Sequence, residues 1–361
     1  MLDIRTKTMF GTTHSWAITM RSLFEEFCNN DHNIYIESTN GDSFVSDEMK
    51  KRFMPCESPD IDICYTLPRN FPFRFKDSSK LKLAIYNYES SILPELWRDK
   101  IKHVDYALPS SSFSKEIFVK NGWPEDKCIV VPHGVKSHMF SGERIRGDLK
   151  NNKKFRFLNI SIPHFRKNIS SLVDAYYSSF SDRDDVCLVI KTSLKSPNPN
   201  HPFECDVTKE ILKVQKTHSG RALPQIEIVE KKYDDMSLLY RSCDCLVSAS
   251  SSEGFGLPFL EGLAAGMVVI APECSGQLDF LNNKNSLLVS VTDGPASKRY
   301  QYWSSSDGAK TFFPNKISLS EQMINAYSNH KGLLSSFDSE IKTTLSKFTW
   351  SNAADRILEL V

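Results

Sequence analysis

Two glutamates, Glu253 and Glu261, stand eight positions apart around Gly254, Phe255, Gly256, Leu257 and Pro258. The apolar run Cys245–Ala249 before them reads as a buried strand. Leu257–Gly266 reads as an Ala/Gly-rich helix with Pro258 in its first turn, where proline is accepted. A glycine loop that opens a helix after a strand is an anion site, because the first amides lack intrahelical acceptors and the helix dipole favours negative charge. A carboxylate beside such a loop can accept hydrogen bonds from sugar or ribose hydroxyls. The competing reading makes Glu261 a solvated helix residue and Glu253 a loop charge near a helix N-terminus. The dinucleotide fingerprint does not apply, since Phe259 stands where its third glycine belongs.

A second junction of the same kind carries cations. After the strand pattern Phe155–Ser161, the segment Ile162-Pro-His-Phe-Arg-Lys-Asn168 leads into a helix with Ile169, Leu172, Val173 and Tyr176 on one face. Arg166 and Lys167 at a helix start oppose the dipole, so this placement wants an anion nearby; two solvated surface cations are the alternative. A third strand–loop–helix junction runs through Ala271-Pro-Glu-Cys-Ser275-Gly-Gln. There Ser275 either caps the helix expected over Ser275–Leu281 or contacts the same ligand.

These junctions need a scaffold, and the rest of the chain supplies the pattern for one. Short apolar runs at Leu2–Thr6, Asn33–Glu37, Ile61–Thr66, Lys82–Asn87, Tyr106–Pro109 and Cys128–Val131 alternate with helical patterns such as His14–Asn29 and Ser112–Asn121. After the polar, basic stretch 141–156 the alternation restarts, with strands at Phe155–Ser161, Val186–Thr192, Ile226–Glu230, Cys245–Ala249, Val268–Ala271 and Leu287–Val291. Near-continuous apolar strands separated by helices mean parallel sheets covered on both faces. The fold class is therefore α/β: two doubly wound, Rossmann-like domains facing a cleft, with ligands beyond the carboxyl ends of the strands. The expected boundaries are 1–150 for the first domain with its linker, 151–345 for the second, and 346–361 for a final helix. The serine clusters at 110–112, 248–252 and 304–306 read as turns and caps.

Composition removes several classes. The chain has 361 residues, 45 Lys+Arg against 44 Asp+Glu, 40% hydrophobic and 25% charged residues, which is ordinary globular composition with no bulk charge for nucleic acid. Nine cysteines without C-x-x-C spacing read as free thiols in a reducing compartment. The N-terminus MLDIRTKT is charged where a signal peptide needs an apolar core, and no apolar run approaches the ~20 residues of a membrane span. A cytoplasmic location without stable membrane insertion is expected. Asn159-Ile-Ser161 and Asn168-Ile-Ser170 fit the glycosylation sequon by chance in such a chain, and Lys50-Lys-Arg52 reads as a solvated face. Asp60-Ile-Asp62 has D-x-D metal spacing, but it opens an ordinary strand, so no metal site is expected.

Taken together, Glu253-Gly-Phe-Gly-Leu-Pro-Phe-Leu-Glu261-Gly and the following Ala264-x-Gly-x-x-Val-Ile-Ala271 resemble the E-x7-E signature of the retaining glycosyltransferases with the GT-B fold, the large family-four group. Phe165-Arg-Lys-Asn168 resembles that group's R-K-G/N turn. Val104–Ser110 with Phe113-Ser-Lys115, Val130-Val-Pro-His-Gly-Val135 and Phe348-Thr-Trp350-Ser-Asn-Ala-Ala354 are similar to further family segments in the same order. The resemblance spans roughly residues 80–361; the first 80 match in general pattern alone.

The resemblance implies a retaining transfer of a hexosyl unit from a nucleotide-diphosphate sugar, UDP- or GDP-linked, with no metal and no other cofactor. Glu253 would contact hydroxyls of the transferred sugar and Glu261 the ribose. Gly254 lies in the loop, and the amides of Phe255, Gly256 and Leu257 would meet the distal phosphate. Lys167, helped by Arg166, would neutralise the diphosphate. Many members carry a further arginine where this chain has Ser161; either Arg166 replaces it or donor affinity is weaker. The family's glycine-rich first loop is reduced here to Phe10-Gly11-Thr-Thr-His14, where Gly11 either admits phosphate or acceptor or is a plain turn. Glu89 and His14 are the candidates for a first-domain residue facing the sugar, and His133 is expected to be structural. The acceptor, whether glycan, lipid, protein or modified nucleic-acid base, is not specified. Two rival readings are a non-catalytic relative that binds a nucleotide sugar or glycan in an assembly, and another enzyme of the same fold.

Overall fold

The computed structural model of the chain describes residues 1–145, 149–193, 205–233, 235–296 and 308–361. Residues 304–306, read above as a turn, and 146–148 of the polar stretch lie outside the described residues. The chain divides into two units, 1–88 with 92–134 and 347–361, and 89–91 with 135–346.

Unit 1 is built on five parallel strands, β1 (Asp3–Thr8), β2 (Asn33–Ser38), β3 (Ile61–Tyr65), β4 (Leu81–Ile85) and β5 (Tyr106–Leu108), in the order β2-β1-β3-β4-β5. All five residues of β3 are buried, as expected for a strand covered on both faces. The sixth strand expected at Cys128–Val131 is not one: Ile129 and Val131 donate to the carbonyls of Ala107 and Pro109, and only a bridge at Ala107 and Cys128 forms. Helices α1 (Ser15–Asn29) and α2 (Ser112–Lys120) belong to this unit, the latter capped by the Ser111 hydroxyl.

The last helix, α9 (Trp350–Leu358), is counted with unit 1 and packs on α1. Thr349 caps it, and Trp350, Ala353, Ala354 and Ile357 are its buried face. Gly134 passes so close to its start that a Cβ there would lie 2.1 Å from Trp350 N.

Asp60 and Asp62 are absorbed by this sheet. Asp60 accepts from Asp3 N and Lys80 Nζ, and buried Asp62 accepts from Arg5 Nη1 at 2.6 Å, Lys76 N and Ser79 Oγ. Among the described residues no group of three or more His, Cys, Asp or Glu side chains suits a metal ion. None of the helices there is long and apolar enough to cross a membrane.

Unit 2 has six parallel strands, β6 (Phe155–Ile160), β7 (Val186–Lys191), β8 (Gln225–Val229), β9 (Cys245–Val247), β10 (Val268–Pro272) and β11 (Leu287–Val289), in the order β11-β10-β9-β6-β7-β8. The chain leaves β6 toward β7 and β8, then returns to lay β9 on the other side of β6. Between β6 and β9 lies the switch point, where the loops leaving the strand ends diverge and open a crevice. Val186, Cys187, Leu188, Val189 and Ile190 of β7 are fully buried. Each large apolar side chain so placed contributes about 1.5–3 kcal/mol against the entropy of ordering it. The sheet is therefore a rigid base for its loops.

Covering the sheet are α3 (Ile169–Ser179), α4 (Val207–Thr217), α5 (Ser237–Arg241), α6 (Leu257–Ala264), α7 (Lys316–Ser328) and α8 (His330–Lys347). Residues 135–145, read above with the first domain, pack here: Phe140 sets its edge on Tyr240 and Ile145 N donates to Arg241 O. An antiparallel pair, β12 (Val291–Pro295) with β13 (Lys310–Pro314), was not expected from the sequence, whose last strand ended at Val291.

Candidate functional site

The loops leaving β6 and β9 at the switch point carry Arg166, Lys167 and Glu253, and the structure brings the three side chains into contact. Lys167 Nζ lies 2.5 Å from Glu253 Oε1, and Arg166 Nη1 lies 2.9 Å from Glu253 Oε2. Arg166 also donates to the Ser252 carbonyl, and its own carbonyl accepts from Ser251 N at 2.8 Å. The cations are therefore not two solvated surface residues: their side chains are 15% and 13% exposed.

Backbone geometry explains how they get there. Phe165–Lys167 is a single 3-10 turn, begun by His164 Nδ1 accepting from Arg166 N. Asn168 then reverses the chain into α3 with φ +52°, a conformation that Gly and Asn adopt far more readily than other residues. This is the physical reason for a Gly or Asn after the two cations. Asn159, in the strand before, is 1% exposed and donates to Val247 O, which leaves its sequon inside the sheet.

Glu253 is buried, which alone would push its carboxyl up; Lys167 and then Arg166 overcome this and hold it down at about 2. Burial presses the Lys167 ammonium down, with Glu253 opposing. The carboxylate stays charged because its partners are charged, and the cluster as a whole carries surplus positive charge.

Glu89 adds a further acid at the rim: its Oε1 lies 3.5 Å from Arg166 Nη2, and burial raises its carboxyl, with Arg166 opposing. His14 is in unit 1, where its Nδ1 caps α1 by accepting from Trp16 N. Gly11, also in unit 1, donates its amide to Asn40 Oδ1, and a Cβ there would lie 2.5 Å from Gly41 O. The glycine serves the packing of two loops, and its amide is not available to an anion. His133 is buried between Tyr65 and Trp350, and burial lowers its pKa to about 3.

The β9 loop continues through Gly254 and buried Phe255 to Gly256, whose φ of +92° turns the chain into α6. The first amides of α6 have no acceptor within the helix. Ile160, Lys167, Ser248, Glu253, Pro258 and Phe259 line a small pocket there. Ser275 is not a helix cap. The expected helix is one 3-10 turn, Ser275–Asp279, with Cys274 at its start and Ser275 at φ +58°. The Ser275 hydroxyl accepts from Glu253 N at 2.9 Å, and Gly276 N donates to Glu253 O. The β10 loop thus fixes the backbone of Glu253, while the β6 loop fixes its side chain.

Glu261 lies one turn inside α6 and is not simply solvated. It accepts from the Tyr240 hydroxyl on α5, and burial raises its carboxyl to about 7, with Tyr240 opposing. Sequence reasoning missed Tyr240; within Leu238-Leu-Tyr-Arg it reads as one more apolar-face residue. It also missed Ser251 and Ser252, whose hydroxyls are buried and take no partner among the described residues.

Residues 143–300 match the family model for glycosyl transferases group 1. A search of curated proteins gives no match. A glycosyltransferase from Rickettsia africae is 17% identical with TM-score 0.69, the alignment covering 99% of this chain and 97% of that one. Alr3699/HepE from Anabaena, solved with UDP and glucose, is 12% identical with TM-score 0.70, covering 100% and 99%. The lipopolysaccharide outer core galactosyltransferase WaaB is 13% identical with TM-score 0.62, covering 99% of each chain. At these identities the likeness is one of fold: two Rossmann-like units of the GT-B class.

Proposed function

We propose that the chain transfers a hexosyl unit from a nucleotide-diphosphate sugar to an acceptor, with retention and without a metal ion. The observation that carries this reading is the cluster of Arg166, Lys167 and Glu253 at the switch point, beside the uncapped start of α6. Breaking the bond between the anomeric carbon and the phosphate oxygen places negative charge on the leaving diphosphate. Lys167, Arg166 and the amides of Gly256 and Leu257 would receive that charge, which is the role a divalent cation has elsewhere. The cations would turn from Glu253 to the phosphates as the donor enters, and the carboxylate would then accept from the sugar's hydroxyls. The acceptor hydroxyl adds to the anomeric carbon from the face the phosphate leaves, and its proton passes to the departing phosphate oxygen. Glu89, beside Arg166, is the candidate for a further contact on the sugar.

Glu261 would bind the ribose through the carboxylate oxygen that Tyr240 leaves open. Its carboxyl loses its proton near pH 7 in the donor-free chain, and the charged form is the better acceptor for a diol. Donor KM should therefore rise as pH falls below 7, by up to tenfold per unit, on the order of what one lost proton-linked contact allows. Tyr240→Phe removes the bond that favours the charged form, so it should move this inflection to higher pH. Glu261→Gln should flatten it. A KM independent of pH in the parent chain would remove the ribose role.

UDP-sugars are the first donors to test, because the Anabaena neighbour was solved with UDP and glucose and the pneumococcal O-GlcNAc transferase GtfA with UDP and GlcNAc. The experiment is a thermal-shift screen of UDP-, GDP- and ADP-sugars. A donor at about 100 times its Kd stabilises the folded state by about 2.7 kcal/mol, a shift of several degrees in Tm. One base class should give it and the free sugars should not. No shift with any of the three would overturn the proposal.

A further inference from the structure

Phe73 and Leu96 are 77% and 80% exposed, far beyond what their size would lead one to expect. Both belong to unit 1. Phe73 stands on the short helix Phe71–Arg74 after the turn Pro68–Asn70, and Leu96 on the short helix Glu95–Arg98 before the turn Asp99–His103. The two turns pack against each other and each touches both short helices, so the four pieces make one compact cluster on unit 1. Their inward residues anchor it: Phe71 lies under Trp123, and Trp97 and Ile101 are buried. The two exposed side chains are therefore held outward by a packed base rather than left on loose ends.

The same segments are basic. Residues 68–74 and 95–103 hold Arg69, Arg74, Arg98, Lys100 and Lys102 against two acids, Glu95 and Asp99, in a chain whose charges nearly balance as a whole. Asp99 is already engaged by Lys100 at 2.9 Å and Lys102 at 3.0 Å. Arg69, Arg98 and Lys102 are exposed on the same segments as Phe73 and Leu96.

We propose that this face of unit 1 docks reversibly on an anionic membrane surface, Phe73, Pro72 and Leu96 entering the acyl boundary and the cations meeting lipid phosphates. Apolar tips interleaved with Lys and Arg are the pattern of an interfacial contact. A stable protein interface instead needs about 800 Å² on each partner around a depleted-charge core. Two apolar tips on short helices, with exposed cations in the same segments, do not supply that core. The inference does not rest on the donor reading.

The test is flotation of the full chain with vesicles of phosphatidylcholine alone and with roughly 30% phosphatidylglycerol added, a charge density that attracts such segments. The chain should float with the anionic vesicles only, and come off when salt shortens the screening length, at about 0.5 M. Phe73→Ser with Leu96→Ser should weaken binding by about tenfold or more. Arg98→Gln with Lys102→Gln should weaken it by about fivefold for each charge removed. Both pairs of residues are exposed, so folding and donor-induced thermal shift should not change. Absence of binding to anionic vesicles, equal binding to neutral ones, or indifference to both double substitutions overturns the proposal. So does a self-association in sedimentation that Phe73→Ser abolishes without vesicle binding, which would make the face a contact between two copies.

Discussion

Lys167→Met is expected to lower kcat by about a thousandfold, the usual consequence of removing one preorganised group from developing charge. Donor KM should change much less, because the leaving diphosphate gains its extra charge only as the bond breaks. The chain should stay folded, since Glu253 keeps Arg166 as a partner at 2.9 Å. Glu253 needs more care. Glu253→Ala takes from Lys167 its carboxylate at 2.5 Å and leaves Arg166 with Glu89 at 3.5 Å, and breaking a buried charge pair costs about 3–5 kcal/mol. Glu253→Gln keeps the side-chain shape and separates the two effects. It should retain a cooperative melt while losing turnover by orders of magnitude. Turnover near that of the parent in both Lys167→Met and Glu253→Gln would remove the site from the chemistry.

Gly276→Ala should be the most damaging single methyl group in unit 2. A Cβ at Gly276 would lie 2.2 Å from Gly254 O and 2.9 Å from Glu253 O. Both obstacles are backbone, so no side chain can swing away, and the β9 and β10 loops must separate. The hydrogen bonds from Glu253 N to Ser275 and from Gly276 N to Glu253 O would go with that movement. We expect a stability loss of about 3 kcal/mol, typical of forced overpacking, and loss of turnover beyond it, since Glu253 shifts against Lys167. Gly220→Ala is the control: it has φ +89° and open space around it, so only the backbone strain of about 1 kcal/mol applies. If Gly276→Ala matches Gly220→Ala in both melting and turnover, the loop contact does not hold the site.

Much of this site could be read in the sequence because it is local. A strand pattern, two glycines, a proline at a helix start and two acids eight apart define a loop–helix junction without help from the rest of the chain. The same holds for Arg166, Lys167 and Asn168, where a left-handed residue after the cations ends one turn and begins a helix. What misled the sequence reading was also physical. Ser275-Gly-Gln resembles a cap and a helix start, but the hydroxyl is used by Glu253 N and the segment closes as a single 3-10 turn. Cys128–Val131 has strand composition and finds only part of a partner. Gly11 was open to two readings, and a Cβ there would lie 2.5 Å from Gly41 O, which favours the plain turn.

By itself the sequence determined the two alternating runs, the parallel character of their strands and the loops that carry charge, because hydrophobic period and turn residues act over a few neighbours. Tertiary structure alone decided which charges meet. It set Glu253 against cations 86 and 87 positions away, Tyr240 on Glu261, and β12 beside β13. It also decided ionisation, drawing Glu253 down to about 2 and pushing Glu261 up to about 7. The two acids are the same residue type in one motif, and a carboxyl's proton affinity is set by the charges and the water around it, neither of which is written in its neighbours along the chain.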